Sequence, residues 1–407
     1  MFMGAIVGKV GACQHAKCGT LFLGAAYAPG ALPFGHSSWF HEFDSIESIY
    51  LNGWIKYTIR TAKEQPFLPI EIAMEVYPLQ GSEGFLVSFK ISKVWRPFYL
   101  VIAFGGLTGY LPDRLDLFAK RAPFKPTDCQ NNEVSLNQNM VHIKGADPEV
   151  KTEMWMGASF PVELFVGDAS DIENGPGAML TSKVKDAPVA VAHCLVEPER
   201  DRPSFFGRIF VIRSQDPKEL EHWLSMQNPE EFLKREIRLV QSILQVKTPD
   251  PYLNTAVPVQ VTTMDACWHH PTFRHGTVSY HYPYLGWRNW YGPTVIGWHD
   301  RVRTAIMAHA GSQLKGPEDA QLTMDSAGAF WRGAETRGGI PDRLVPNYRG
   351  IFYNMMEVYI DHVLYHLAWT GDLNFARQVF PVIKGVLEWE KNWLDSDGDG
   401  LYENYLN

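Results

Sequence analysis

The pattern of apolar and polar positions changes character once along the chain. From about Leu21 to Ser214, short runs rich in β-branched and aromatic residues recur between Gly, Pro and Asp turns, with almost no helical period among them. Ile46–Leu51 and Trp54–Ile59 flank Asn52-Gly53, the dipeptide a tight hairpin favours because both residues tolerate positive φ. Further runs lie at Ile70–Tyr77, Gly84–Ser92, Pro97–Phe104, Val134–Ile143, Met154–Phe160, Val189–Glu197 and Arg208–Ile212. So many short strands predict a large antiparallel β-sandwich over residues 1–214.

The period then lengthens. Asp216-Pro217 opens a helix with an acidic N-cap and Pro in the first turn, and a second helix is predicted from Pro229 to Gln245. Lys247-Thr248-Pro249-Asp250-Pro251 ends them, so residues 215–250 read as a helical linker. Beyond it four helices are predicted, at Leu253–Trp268, Thr294–Ser312, Phe352–Thr370 and Asp372–Leu394. Trp369-Thr370-Gly371-Asp372 joins the last two as a Gly C-cap followed by an Asp N-cap, which makes them antiparallel neighbours.

Composition narrows the function. The 407 residues are 45% hydrophobic and 20% charged, ordinary values for globular protein, and the length favours two or three domains. A net charge of −8 without a basic block argues against nucleic acid as a partner. No run of eighteen apolar residues offers a membrane span. The N-terminus shows no leader pattern, so the protein is either intracellular or begins inside a longer chain. Five cysteines are odd in number; Cys13, His15 and Cys18 match no ordered zinc spacing, and free thiols or one disulfide are expected.

Chemistry concentrates in Met264–Arg303, which holds nine Trp, Tyr and Phe residues and five of the fourteen histidines in forty positions. Pro271, Gly276, Pro283, Gly286, Gly292 and Pro293 break any regular element there. Flat rings interleaved with His, Arg and Asn suit a ligand with C–H patches and a rim of hydroxyls, which describes a sugar; filling a core is the plainer use of the same rings. The candidate contacts are Trp268, His269, His275, Tyr284, Trp287, Arg288, Trp290, Tyr291, Trp298 and Arg301. Asp300 stands where this stretch meets the next helix, as a possible substrate carboxylate or a helix-terminus charge. On the following helix Asn354, Glu357 and Asp361 share one face, and two carboxylates four residues apart repel unless a base such as Arg274, Arg288, Arg301 or Arg303, or a polar cleft, compensates. Asp300, Glu357 and Asp361 are therefore the catalytic candidates.

Asp395-Ser396-Asp397-Gly398-Asp399-Gly400 has the first half of a calcium loop, but Leu406 stands where an EF-hand needs its bidentate Glu. A looser calcium site on Asp395, Asp397 and Asp399 or a plain helix-stop turn remains, with the turn favoured and no cofactor otherwise expected.

The order of sandwich, charged helices and helical hairpins resembles bacterial six-hairpin glycoside hydrolases, of the α-L-rhamnosidase-like and arabinofuranosidase-like kind. The motifs carrying the resemblance are Leu285-Gly286-Trp287-Arg288, Gly297-Trp298-His299-Asp300-Arg301, Trp369-Thr370-Gly371-Asp372 and Trp393–Leu401. It implies a β + α multidomain protein with the first part of an (α/α)6 barrel over residues 251–407. It also implies an exo-acting, inverting glycosidase on plant or host oligosaccharides or polysaccharides, periplasmic or secreted in its complete form. Only about four of the family's twelve barrel helices fall before Asn407. The chain is thus expected to be an inactive fragment, with the general acid beyond its end. A non-catalytic carbohydrate-binding scaffold is the alternative reading, and a polysaccharide lyase the third.

Overall fold

The computed structural model describes residues 18–27, 37–61, 70–94, 96–107, 124–145, 152–198, 204–274, 285, 289–316, 337–341, 344, 353–395 and 397–401. The chain separates into two compact units, Met1–Thr262 and Thr263–Asn407.

In the first unit the strands are β1 (Cys18–Ala26), β2 (Ser37–Trp39), β3 (Ser45–Tyr50), β4 (Ile55–Arg60), β5 (Glu71–Pro78), β6 (Glu83–Ser92), β7 (Phe98–Leu107), β8 (Glu133–Asn137), β9 (Met140–Lys144), β10 (Glu153–Ala158), β11 (Glu163–Asp168), β12 (Pro188–Val196) and β13 (Ser204–Arg213). They form an eight-stranded sheet, β3-β4-β5-β6-β13-β10-β9-β8, and a five-stranded sheet, β11-β12-β7-β1-β2. Two-residue alternation explains the layering. On β13, Ile209 and Val211 join the core shared with Leu23, Leu100 and Ile102 of the smaller sheet, while Phe210 and Ile212 face the other way. That outer face is covered by α2 (Pro217–Ser225) and α3 (Pro229–Gln241), through Leu220, Trp223 and Leu233. The stretch read as a linker therefore belongs to the sandwich. The far face of the five-stranded sheet is capped by the short α1 (Pro176–Met179) and a 3-10 turn, with Ile172 and Met179 on Val101 and Val189.

Most predicted strands are present, and Asn52 and Gly53 take φ values of 44° and 124° in the β3–β4 turn. The run at Val134–Ile143 differs: it is the hairpin β8–β9, with Leu136 opposite Val141. Its turn uses Gln138 at φ 52°, a residue that does not announce a left-handed position.

In the second unit α4 (Pro251–Cys267), which crosses the division, leads into a small hairpin of β14 (Trp268–His269) and β15 (Thr272–Phe273). Then come α5 (Tyr291–Val295), α6 (His299–Ala310), α7 (Tyr353–Thr370) and α8 (Leu373–Leu394). The helix predicted from Thr294 is broken by Gly297 at φ 86°, which separates α5 from α6. The α7–α8 turn forms as read: Gly371 has φ 63°, and the Asp372 carboxylate accepts hydrogen bonds from the amides of Asn374 and Phe375 at 3.1 and 2.9 Å. Val302, Ile306, Met356, Tyr359, Val363, Val379, Ile383 and Val386 build one core between α6, α7 and α8. Among the described residues no helix is long and apolar enough to cross a membrane.

Candidate functional site

Three side chains that the sequence scatters over 34 positions meet in the helical unit. Arg301, on the first turns of α6, places its guanidinium carbon 4.4 Å from the ring centre of Trp298 and 5.7 Å from that of Trp268. Its Nη1 donates to Asp265 Oδ1 at 2.8 Å, which fixes the fork between the two indoles. All three are half-buried, so indole and guanidinium surface remains in contact with solvent. The β14–β15 hairpin supplies Trp268, and Phe273 supports that indole at 4.7 Å between ring centres. Two flat faces with a planar cation between them can stack on the apolar face of a ring and donate to its hydroxyls.

Trp290 is in a different place. It is 1% exposed, part of the helical core, with His309, Tyr359 and His362 ring centres at 5.7, 5.8 and 5.2 Å. As a substrate contact it is corrected to a core ring, because its whole face is spent on neighbours. Tyr291 is half-buried, edge-on to His362 and Tyr365, and its hydroxyl donates to the Asp361 carboxylate. His269 lies half-buried in β14. His275, Tyr284, Trp287 and Arg288 lie outside the described residues, as do Cys13, His15 and the side chains of Cys18 and Asn354.

The carboxylates divide similarly. Asp300 is 93% exposed in its side chain and pairs with Arg303, whose other nitrogen donates to Asp372 at 2.9 Å. This is the helix-surface arrangement that explains an Asp in a first turn without a ligand. Glu357 and Asp361 are exposed on α7, and neither has Arg301 or Arg303 as its partner, since those bases serve Asp265, Asp300 and Asp372. Burial raises the Glu357 carboxyl above its ordinary range.

Sequence reading missed Glu390. It lies on the apolar face of α8, is 1% exposed, and its Oε1 has no hydrogen-bond partner among the described residues. Burial, with the charge of Glu357 added, pushes its carboxyl up to about 7. The available signal was an acid in register with Phe375, Val379, Ile383 and Val386, an oddity on an otherwise apolar stripe. Buried histidines went unread too. His309 Nε2 meets Thr272 Oγ1 at 3.4 Å and His366 Nδ1 meets Thr294 Oγ1 at 3.2 Å, and burial lowers them to about 3 and about 4.

After α8, carboxylate oxygens of Asp395, Asp397 and Asp399 lie within 4.8 Å of one another. Each also accepts a backbone amide, from Gly400, Asp399 and Leu401 respectively. Oxygens so grouped suit a hard cation, and the same bonds suffice to turn the chain.

Residues 24–216, which span most of the sandwich, match the model of a family described as a domain of unknown function, DUF4450. No curated protein matches the chain. Among solved structures it is similar to a human-microbiome protein assigned as a kojibiose phosphorylase, at 8% identity and a TM-score of 0.48, covering 79% of this chain and 42% of that one. It is also similar to a polysaccharide lyase, at 10% identity and a TM-score of 0.26, covering 50% of this chain and 27% of that one. The chain spans less than half the length of either.

Proposed function

We propose that this chain is part of a carbohydrate-active enzyme, a glycoside hydrolase in its complete form, and that the helical unit carries the sugar-contacting surface. The observation supporting this is the Trp268–Arg301–Trp298 set, with Arg301 fixed by Asp265. A salt bridge needs no indole on either side, and a core needs no guanidinium; the combination is the one a hydroxylated ring uses.

The set is tested with the chain itself, by calorimetry or affinity electrophoresis against plant and host oligosaccharides. Wild type is expected to bind at least one, and Trp298→Ala to weaken that binding about tenfold, roughly 1.4 kcal/mol. Absence of binding across the panel by wild type removes the reading. A purely binding role is the second reading, favoured by the pairing of Asp300 with Arg303. Binding without release of reducing sugar would select it, and release of an unsaturated, ultraviolet-absorbing product would select a lyase.

A further inference from the structure

We propose that the β3 edge of the larger sheet is a docking strand for a second copy of this chain, paired antiparallel about a two-fold axis at Ser48, so that one sheet runs through both molecules.

The four sheet edges are unequally protected. β2 is three residues long and covered by α1, while β8 and β11 lie against each other and so close one side of the sandwich. Among the described residues β3 has no such cover, and β4 is its one extensive neighbour. Its sequence, Ser45-Ile46-Glu47-Ser48-Ile49-Tyr50, contains neither Lys nor Pro, the residues that most often blunt an exposed edge, and it is exposed from Glu47 through Tyr50.

The core stops short at this strand. Ile72 of β5, Ile59 of β4 and Ile46 of β3 stand in one row on the core face, and their exposure runs 0%, 1% and 44%. Two rows along, Tyr50 is 53% exposed on the same face. An isoleucine and a tyrosine facing inward yet open to water are what one more strand would cover. The hairpin that carries them is fixed. The Leu51 amide donates to the Trp54 carbonyl at 2.8 Å, Gln241 of α3 donates to the Asn52 carbonyl, and a Cβ on Gly53 would meet Ile237 at 2.7 Å. A strand held in this way spares its partner the entropy of ordering it.

The register follows from the pleat. Facing residues of an antiparallel pair lie on the same side of the sheet, so a two-fold axis normal to the sheet passes between one residue and its own copy. Centred on Glu47, the pairing sets carboxylate against carboxylate, which destabilises it. Centred on Ile49, it matches Ile46 with Asn52, whose φ of 44° takes it out of the strand. Centred on Ser48, it matches Ile46 with the partner's Tyr50 and Glu47 with the partner's Ile49, while Ser48 meets itself. No like charges then face each other, and Glu47 keeps Arg60 at 3.4 Å.

Sedimentation velocity on the full chain across the micromolar range tests this. Wild type is expected to dimerise. Ser48→Lys, which sets two cations face to face on an exposed strand, should weaken the dimer by about tenfold or more at an unchanged melting temperature. The register is read with Ser48→Cys: a short bis-maleimide should link it to a second copy, whereas Ser135→Cys, likewise exposed but on β8, should stay at the wild-type background set by the native thiols. A wild type that stays monomeric overturns the proposal and leaves the edge to some other strand. A dimer that Ser48→Lys does not weaken overturns it too, because the contact then lies on another face. If Ser48→Lys fails to fold, the linking decides, and Ser48→Cys linked no better than Ser135→Cys overturns the pairing.

Discussion

In the sandwich, Asp168 is 2% exposed and its two oxygens accept five hydrogen bonds, from the amide and hydroxyl of Ser170 and the amides of Lys185, Asp186 and Ala187. In the helical unit, Glu390 is as deeply buried and has an oxygen with no partner among the described residues. The contrast extends beyond these two. Buried Asn132 donates to and accepts from Leu107, and Glu230 joins Arg208 and Ser88 at 2.6 and 2.7 Å. Against them, Trp290 Nε1, His309 Nδ1, His366 Nε2 and Trp389 Nε1 have no partner among the described residues of the helical core, while in the first unit Trp54 Nε1 and His193 Nδ1 are in the same position. Buried polar groups are normally satisfied, and exceptions gather where a molecule does something other than fold. On the reading of the sandwich as scaffold, unpartnered buried atoms should gather in the helical unit, and among the described residues most of them do.

The sharpest way to break that comparison is to make the sandwich behave like the helical unit. Burial alone would raise the Asp168 carboxyl, but the bonds from Ser170, Ala187 and Lys185 outweigh it and hold it well below the ordinary carboxylate range. Its contribution is thus present above the unfolded value and lost as pH falls toward the lower folded one. Asp168→Ala strands three consecutive amides between β11 and β12 and is expected to cost about 3–5 kcal/mol in urea denaturation. A loss under about 1 kcal/mol would mean the five bonds are dispensable, and the scaffold reading would fail with them.

A second measurement sharpens the helical side. His309 and His366 are buried neutral, with values below the imidazole's ordinary one, so the unfolded chain binds the protons first. Their stabilisation is complete above pH 6.5 and falls as pH drops toward 4, by about 1.4 kcal/mol per pH unit for each histidine. His309→Leu forfeits the Thr272 contact yet should flatten the acid slope by one proton. An unchanged slope would show that His309 is reached by water. Smaller again is the effect of Arg301→Lys, which keeps the charge and loses the planar stack: sugar binding is expected to weaken about tenfold, roughly 1.4 kcal/mol, at unchanged stability.

Much of this was legible in advance because it rests on local rules. Strand alternation, Asn52-Gly53, the Asp216 cap and the Gly371-Asp372 turn are set by a few adjacent residues. The β8–β9 turn was not, since Gln138 at positive φ is chosen by its strands and not by its own preference. The site was half legible. The composition of Met264–Arg303 draws attention to the stretch in which Trp268, Trp298 and Arg301 meet, but ring content cannot distinguish Trp298, half-buried, from Trp290, sealed beneath His309 and Tyr359. Glu390 was invisible because its burial is set by packing between helices, which the pattern along α8 alone does not reveal.

The smallest expected effect tests where the chemistry stops. Asp300 has the sequence position of a site residue and the environment of a surface one: its carboxylate meets Arg303 one turn along α6, and Arg303 keeps Asp372 when Asp300 is gone. Asp300→Ala should therefore change stability by less than about 1 kcal/mol and leave sugar binding within twofold. A tenfold loss of binding, or of turnover in a complete enzyme, on truncating Asp300 would place the ligand over the start of α6. The reacting groups would then lie on a well-paired surface, and unpartnered atoms in the helical core would no longer be a guide to where this protein works.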